Sequence, residues 1–307
     1  MTNSSDSVVS VQIVERVVAD RVAVIGGGLM GSSVLRAFKA YGCARSLSVY
    51  DRNPRTADRL RALELEAHVE PTVVDAVRGA DIVVLAIPLG EYPATVQAIA
   101  KAVAPGCIVT DVGSVKAPVV EVFSSMLPPS VCYIPAHPVA GLEKSGPDAG
   151  SQTMFDGRWL VVTPPADCPH AAIERLSTLW RQVGAQVAVM SPEEHDTVMA
   201  VTSHLPHLLS FCMMVTAAGF ENRSGRNYMQ YSAGGFRDFT RIAASDPVMW
   251  RDILLENGDN ILSALDDFTQ SLKQLSDSVR HRDSSSLLSF LQRSNSAHSS
   301  TFGLKTT

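Results

Sequence analysis

From residue 21 to about 189 the chain alternates short apolar runs rich in Val and Ile with longer stretches at helical spacing. That rhythm predicts a parallel sheet joined by crossover helices. The predicted strands cover residues 22–25, 47–50, 82–86, 108–111, 131–135 and 159–163. Each reads as a near-continuous apolar run because a parallel sheet is covered on both faces. Past Met190 the strand signals stop and helical ones take over, which places a domain boundary near residue 190. Ser191-Pro192-Glu193-Glu194 has the residue types of a helix opening: a hydroxyl cap, a proline for the first turn and a glutamate to close a capping box. Ser245-Asp246-Pro247 opens another helix in the same way. Beyond it Ile261, Leu265, Phe268, Leu272, Leu275 and Val279 alternate spacings of four and three, a seam that suits packing within the chain or against a second subunit. The chain therefore divides into a flexible N-terminal segment (1–20), an α/β domain (21–189), an all-helical domain (190–295) and a loose, Ser-rich tail (296–307).

Composition narrows the possible roles. The 307 residues are 46% hydrophobic and 19% charged, an ordinary globular balance and long enough for two domains. Lys plus Arg number 26 against 31 Asp plus Glu, a net charge of −5, which argues against a surface built to neutralise nucleic-acid phosphates. No apolar run approaches the roughly 20 residues of a membrane helix, and the opening MTNSSDS lacks the order of a signal peptide. A soluble, cytoplasmic protein without membrane association is expected. Cys43, Cys107, Cys132, Cys168 and Cys212 are dispersed, with no CxxC pair, and read as reduced thiols rather than a zinc cage or disulfide framework.

The first predicted strand runs directly into Gly26-Gly27-Gly28-Leu29-Met30-Gly31 and then into a helical pattern. This is GxGxxG between a strand and a helix, the setting that makes it a dinucleotide fingerprint. Gly26 serves the tight turn, Gly28 lets the backbone approach a pyrophosphate, and Gly31 lets helix and strand pack closely, with Leu29 and Met30 opening the helix that faces the phosphates. Asp51 follows twenty residues after Gly31, at the end of the next strand, where a carboxylate can accept both adenine-ribose hydroxyls. NAD is therefore the favoured cofactor. Arg52 could instead meet a 2′-phosphate, which keeps NADP open. Two more strand ends, Ala86-Ile87-Pro88 and Asp111-Val112-Gly113-Ser114, belong to the same cleft edge, where open parallel sheets bind ligands.

Taking hydride from an alcohol carbon requires the hydroxyl proton to leave as well. His137 is the candidate base: it follows the strand at 131–135, Pro138 holds it extended, and Ser114 offers a hydroxyl able to orient it. In the helical half, Pro206 of His204-Leu205-Pro206-His207 is expected to kink its helix and free a carbonyl. The two histidines are spaced for a metal but lack a third ligand, so no metal is assigned. Gly234-Gly235-Phe236-Arg237-Asp238-Phe239-Thr240-Arg241 sets two arginines on one helical face, suited to a substrate carboxylate or to salt bridges with Asp238 or Glu143.

Taken together, GGGLMGSS (26–33), DVGSVK (111–116), HPVAGLEKSG (137–146), SHLPH (203–207) and GGFRDFTRIAASDPVMWRD (234–252) resemble the prephenate and arogenate dehydrogenases of tyrosine biosynthesis. The resemblance implies an N-terminal Rossmann dinucleotide-binding domain followed by an all-α dimerisation domain, in a homodimer. It implies NAD(P)-dependent oxidative decarboxylation of prephenate or arogenate to 4-hydroxyphenylpyruvate or tyrosine. It further implies that His137 takes the C4 hydroxyl proton beside Ser114, that Arg241 grips a substrate carboxylate, that His207 lies on the substrate side, and that Glu143, Arg237 and Asp238 form an ionic network at the cleft mouth. Arg237 stands where some members carry Lys. Trp250 is expected to reach the neighbouring subunit's site, and tyrosine, as a possible inhibitor, to act at the active site. Two alternatives are another β-hydroxyacid dehydrogenase, whose catalytic Lys would have to be Lys273, and a non-catalytic NAD-sensing dimer.

Overall fold

A computed structural model describes residues 17–303; most of the N-terminal segment expected at 1–20 lies outside them. Six parallel strands, β1 (Ala19–Ile25), β2 (Ala44–Tyr50), β3 (Ala67–Val69), β4 (Ile82–Leu85), β5 (Ile108–Asp111) and β6 (Cys132–Ile134), form one sheet in the order β3-β2-β1-β4-β5-β6. This is the doubly wound Rossmann order. The period of two along β1 separates two cores. Val22 and Val24 pack with Val34, Leu35, Phe38 and Trp180 on one face, while Ala23 and Ile25 pack with Val83, Leu85, Val96 and Phe123 on the other. Helices α1 (Leu29–Ala40), α2 (Pro54–Ala62), α3 (Val73–Val77), α4 (Tyr92–Ile99), α5 (Ala117–Met126) and α6 (His170–Gln182) complete this half.

The predicted strand at 159–163 does not join that sheet. It is β8 (Trp159–Val162), which lies between β7 (Ala136–Pro138), paired antiparallel, and β9 (Gln186–Val189), paired parallel, in a separate three-stranded sheet. The chain leaves β6 at Pro135 and turns into the second sheet at once, so a single apolar run serves two sheets. His137, opposite Val161, sits on the edge strand of the smaller one.

The second half is helical: α7 (Pro192–Met199), α8 (Leu205–Ser224), α9 (Gly234–Arg241), α10 (Pro247–Glu256), α11 (Gly258–Arg280) and α12 (Ser284–Phe302). Ser191 caps α7 by accepting the Glu194 N–H, and Asp246 caps α10 by accepting the Met249 N–H. Pro206 is absorbed by a π-helical turn over Ala200–His204, which widens the helix ahead of the proline, where a kink was expected. Gly225, at φ 66°, ends α8 in the left-handed conformation that glycine favours. α12 extends to Phe302, so residues 296–302 are helical where a loose tail was expected. No proline or glycine interrupts the stretch, and Asp283 caps its start.

One expectation about apolar runs also changes. The continuous helical stretch Pro192–Ser224 is long and apolar enough, by length and composition, to cross a membrane, although its polar residues are spread along it. Much of its apolar surface faces outward in the single chain, as at Val201, Met213, Val215 and Phe220. In α11, of the seam residues only Ile261 is fully buried; Phe268, Leu272 and Val279 are exposed. Packing among the described residues therefore leaves most of that seam uncovered.

Candidate active site

The glycine loop is shaped for a dinucleotide. Gly26 has φ +98°, and a Cβ there would lie 2.3 Å from the Ala86 carbonyl oxygen and 2.8 Å from the Ile87 side chain. At Gly31 a Cβ would stand 1.9 Å from the Gly26 carbonyl oxygen, so any side chain there would push α1 off the loop. Over Gly28 the space is open, with nothing within 4 Å of a Cβ. Gly28 also caps α1 without a side-chain acceptor, which leaves the first-turn N–H groups, those of Leu29 and Met30 among them, free for an anion. Asp51 closes the loop by accepting the Gly27 N–H at 2.8 Å, and its other oxygen accepts the Asn53 N–H at 2.8 Å. A carboxylate with two oxygens keeps lone pairs for ribose hydroxyls. Arg52 points to Glu91, pairing at 2.7 Å, and Pro88 starts the short helical turn that carries Glu91. These residues fit a nicotinamide dinucleotide.

At the far end of β5 the sheet carries a buried charge cluster that the sequence did not disclose. Asp111 and Lys116 are both fully buried and paired at 2.5 Å. Asp111 also accepts the Tyr92 hydroxyl (3.0 Å), the Tyr133 hydroxyl (3.3 Å) and the backbone N–H groups of Gly113 (2.9 Å) and Ala136 (3.0 Å). Burial, followed by the Asp111 charge, pushes both tyrosines well above their ordinary range; burial draws Lys116 down while Asp111 opposes it.

His137 lies beside this cluster, 7% exposed. Ser114 does not orient it. His137 Nδ1 meets His195 Nε2 at 2.9 Å, and His195 Nδ1 meets Asp196 Oδ1 at 2.7 Å. The contact to the ring comes instead from His195, a residue of the helical domain. Asp196 in turn accepts the backbone N–H of Lys116 at 2.8 Å and of Ala117 at 2.7 Å, both at the start of α5. The unused His137 Nε2 has no protein partner among the described residues and, unlike His204 Nε2, is not sealed from solvent. Burial, then the neighbouring His195, Lys116 and His204, hold His137 well below the usual imidazole range, so it is neutral near pH 7.

Among the helical residues, two placements differ from expectation and one open alternative is realised. Trp250 does not reach outward. It is 5% exposed within its own chain, stacked on His207 with ring centroids 3.8 Å apart, and packed with Val115 and Ile253 where α10 docks against the turn before α5. Arg241 pairs with Glu143, six residues beyond His137, the salt-bridge alternative rather than a free guanidinium. Arg237 and Asp238 form no ion pair with Glu143; Arg237 Nε reaches the Ser232 hydroxyl at 3.3 Å. His207 Nδ1 donates to the Ser203 carbonyl at 2.9 Å. Asn257 uses its amide N–H groups on the Asp196 carbonyl (2.8 Å) and His204 Nδ1 (3.0 Å), tying α10 and α11 to the same centre. Lys273 pairs with Asp277 on the exposed side of α11, away from this cluster. Cys132 and Cys168 are free thiols with sulfurs 3.7 Å apart.

Sequence reasoning missed His195, Asp196, Lys116 and Asn257. The available signal was the adjacent His-Asp pair in a helix otherwise opened by acidic residues, and a lysine inside an apolar stretch.

A Rossmann sheet with an open glycine loop, joined to a helical domain that packs against a buried imidazole at the sheet's edge, defines a two-domain nicotinamide-dependent dehydrogenase. Residues 34–189 match the family model for the prephenate dehydrogenase nucleotide-binding domain, and residues 191–293 that for the prephenate dehydrogenase dimerization domain. The chain is 41% identical over 276 residues to the cyclohexadienyl dehydrogenase of Zymomonas mobilis, covering 90% of this chain and 94% of that one. The prephenate dehydrogenase of A. aeolicus, solved with hydroxyphenyl propionate and NAD+, superposes with a TM-score of 0.85 at 30% identity, over 92% of this chain and 98% of that one. The arogenate dehydrogenase of Synechocystis gives 0.77 at 25% identity, over 92% and 99%. The chain belongs to the prephenate dehydrogenase family.

Proposed function

We propose that the protein oxidises prephenate, arogenate or both with NAD, releasing CO₂ and forming 4-hydroxyphenylpyruvate or tyrosine, and that it works as a homodimer. The observation that carries this reading is His137: a neutral, nearly buried imidazole with one nitrogen engaged and the other free, just past the carboxyl end of β6 in the sheet that carries the dinucleotide loop. A dinucleotide held at the glycine loop and Asp51 would supply, in its nicotinamide, the acceptor for the C4 hydride. His137 Nε2 takes the C4 hydroxyl proton, and the carboxylate on the ring leaves as CO₂ with its bonding pair passing into the ring. The overall conversion releases no net proton, so the base holds one only until the phenolate oxygen recovers it. We assign Ser114, at the turn that follows β5, to meet that hydroxyl. Arg241 binds a substrate carboxylate by exchanging it for Glu143, and His207, held flat against Trp250, lines the substrate side with Arg237 and Asp238 farther out.

NAD is favoured over NADP. Asp51 places a carboxylate at the ribose position, where it would repel a 2′-phosphate, and Arg52 is already tied to Glu91. The exposed apolar faces of α8 and α11 supply the dimer contact. Initial rates at 340 nm with each substrate paired with each of NAD and NADP test the proposal. Turnover of prephenate or arogenate with NAD is expected, and absence of turnover with every pairing overturns it.

A further inference from the structure

We propose that His195 and Asp196 are positioning residues that set the tautomer of His137, so that its free nitrogen carries a lone pair rather than a hydrogen. The inference rests on the reading of His137 as the base and adds what makes it one. It follows from counting donors along a single line of contacts. Asp196 accepts two backbone N–H groups from the start of α5, one on each oxygen, at 2.8 and 2.7 Å. An acceptor-only carboxylate so placed fixes the next contact: the 2.7 Å approach of His195 Nδ1 has to be a donated N–H. With that single proton on the ring, His195 presents a lone pair at Nε2. Across the 2.9 Å gap His137 must supply the hydrogen from Nδ1, which leaves its Nε2 bare.

This arrangement is the reverse of what imidazole prefers in water, where the Nε2–H form is favoured. Left to itself, His137 would present a hydrogen to the substrate hydroxyl more often than a lone pair. The same line serves the protonated state. When Nε2 takes the hydroxyl proton, Nδ1–H becomes a cationic donor to His195, and the positive charge lies one ring away from the Asp196 carboxylate. The remaining contacts agree in polarity: the Asn257 amide donates to the Asp196 carbonyl and to His204 Nδ1, so no group competes for the Asp196 carboxylate from that side. His137 comes from the Rossmann half and its orienting pair from the helical half, so the tautomer is set across the domain junction.

The test reads nitrogen protonation directly. In the full-length protein labelled with ¹⁵N-histidine, one- and two-bond ring correlations are expected to show His137 and His195 both as Nδ1–H tautomers at pH 7.5. His195→Leu removes the acceptor; kcat is expected to fall by about 10²-fold, with KM for substrate and NAD within about twofold. His195→Gln offers an amide oxygen to His137 and an amide N–H to Asp196 at nearly the ring's spacing, and is expected to recover most of kcat. An Nε2–H tautomer at His137 in the wild-type protein overturns the inference, as does unchanged kcat in His195→Leu or equal loss in the Leu and Gln variants. Should the Leu variant not fold, the wild-type spectrum and the Gln variant still decide. Should the wild-type protein turn over neither prephenate nor arogenate, the functional reading fails, while the spectrum reports on the tautomer regardless.

Discussion

Removing either partner of the Asp111–Lys116 pair should have unequal effects, because the two charges depend on each other unequally. Among the described residues Lys116 Nζ has one hydrogen-bond partner, the Asp111 carboxylate, and it has no exposure to solvent. Asp111 has four further donors: two tyrosine hydroxyls and two backbone N–H groups. Asp111→Asn therefore strands an ammonium in the interior and also turns an amide N–H toward groups that donate; breaking a buried pair in this way costs about 3–5 kcal/mol. Lys116→Met fills similar volume and leaves the carboxylate with its four donors, so only one charge-assisted bond is lost, about 1–2 kcal/mol. Urea unfolding of the two variants at equal protein concentration measures the difference, since a dimer's midpoint moves with concentration. Asp111→Asn is expected to be the weaker protein by about 1–4 kcal/mol. A Lys116→Met protein equal to or weaker than Asp111→Asn would refute the donor count. The same Lys116→Met protein carries a second readout. The lysine's charge helps hold His137 down, so its removal should move the acid limb of kcat/KM to higher pH.

His137→Asn is expected to lower kcat by about 10² to 10⁴ with KM little changed, as loss of a general base should in steady-state assays. Arg241→Ala should raise substrate KM with kcat less affected; an unchanged KM would end its assignment to the carboxylate. Burial pushes His204 down to about 4 from an ordinary imidazole value of 6.5. The folded protein thus favours the neutral ring: stability from this group is complete above pH 6.5 and falls away as pH drops toward 4, with about 2 kcal/mol lost between pH 7 and 5. Urea midpoints at the two pH values should show that loss in the wild-type protein and a smaller one in His204→Gln. Gly31→Ala should abolish NAD binding in titration calorimetry, because the new methyl lands on the Gly26 carbonyl and no side chain can yield to relieve it.

The dinucleotide half was legible because its signals are local. The strand-loop-helix order around Gly26 to Gly31 and the apolar runs of β1, β4 and β5 each lie within a dozen residues. The smaller sheet was not, since β7 has three residues and is defined by its pairing with β8, more than twenty residues later. The same limit applied at the site. His137 could be singled out from its place after a strand, but its partner His195 lies 58 residues away in a polar helix opening that reads as a solvated face. Ser114, close to the cleft in the sequence reading, was given a task that tertiary packing assigned to His195. Trp250 was read from a resemblance as reaching outward, and the docking of α10 on Val115 turned it inward.

The contact between Asp196 and the first N–H groups of α5 has a consequence for how such a chain can be rearranged. Cut between residues 189 and 191, the polypeptide would separate into a piece that retains the glycine loop and imidazole 137 and a piece that retains the groups aligning that imidazole. Chimeras that exchange helical halves between relatives would have to carry the matching turn at 111–117 with them. In this protein the unit that can be shuffled is larger than either half taken alone.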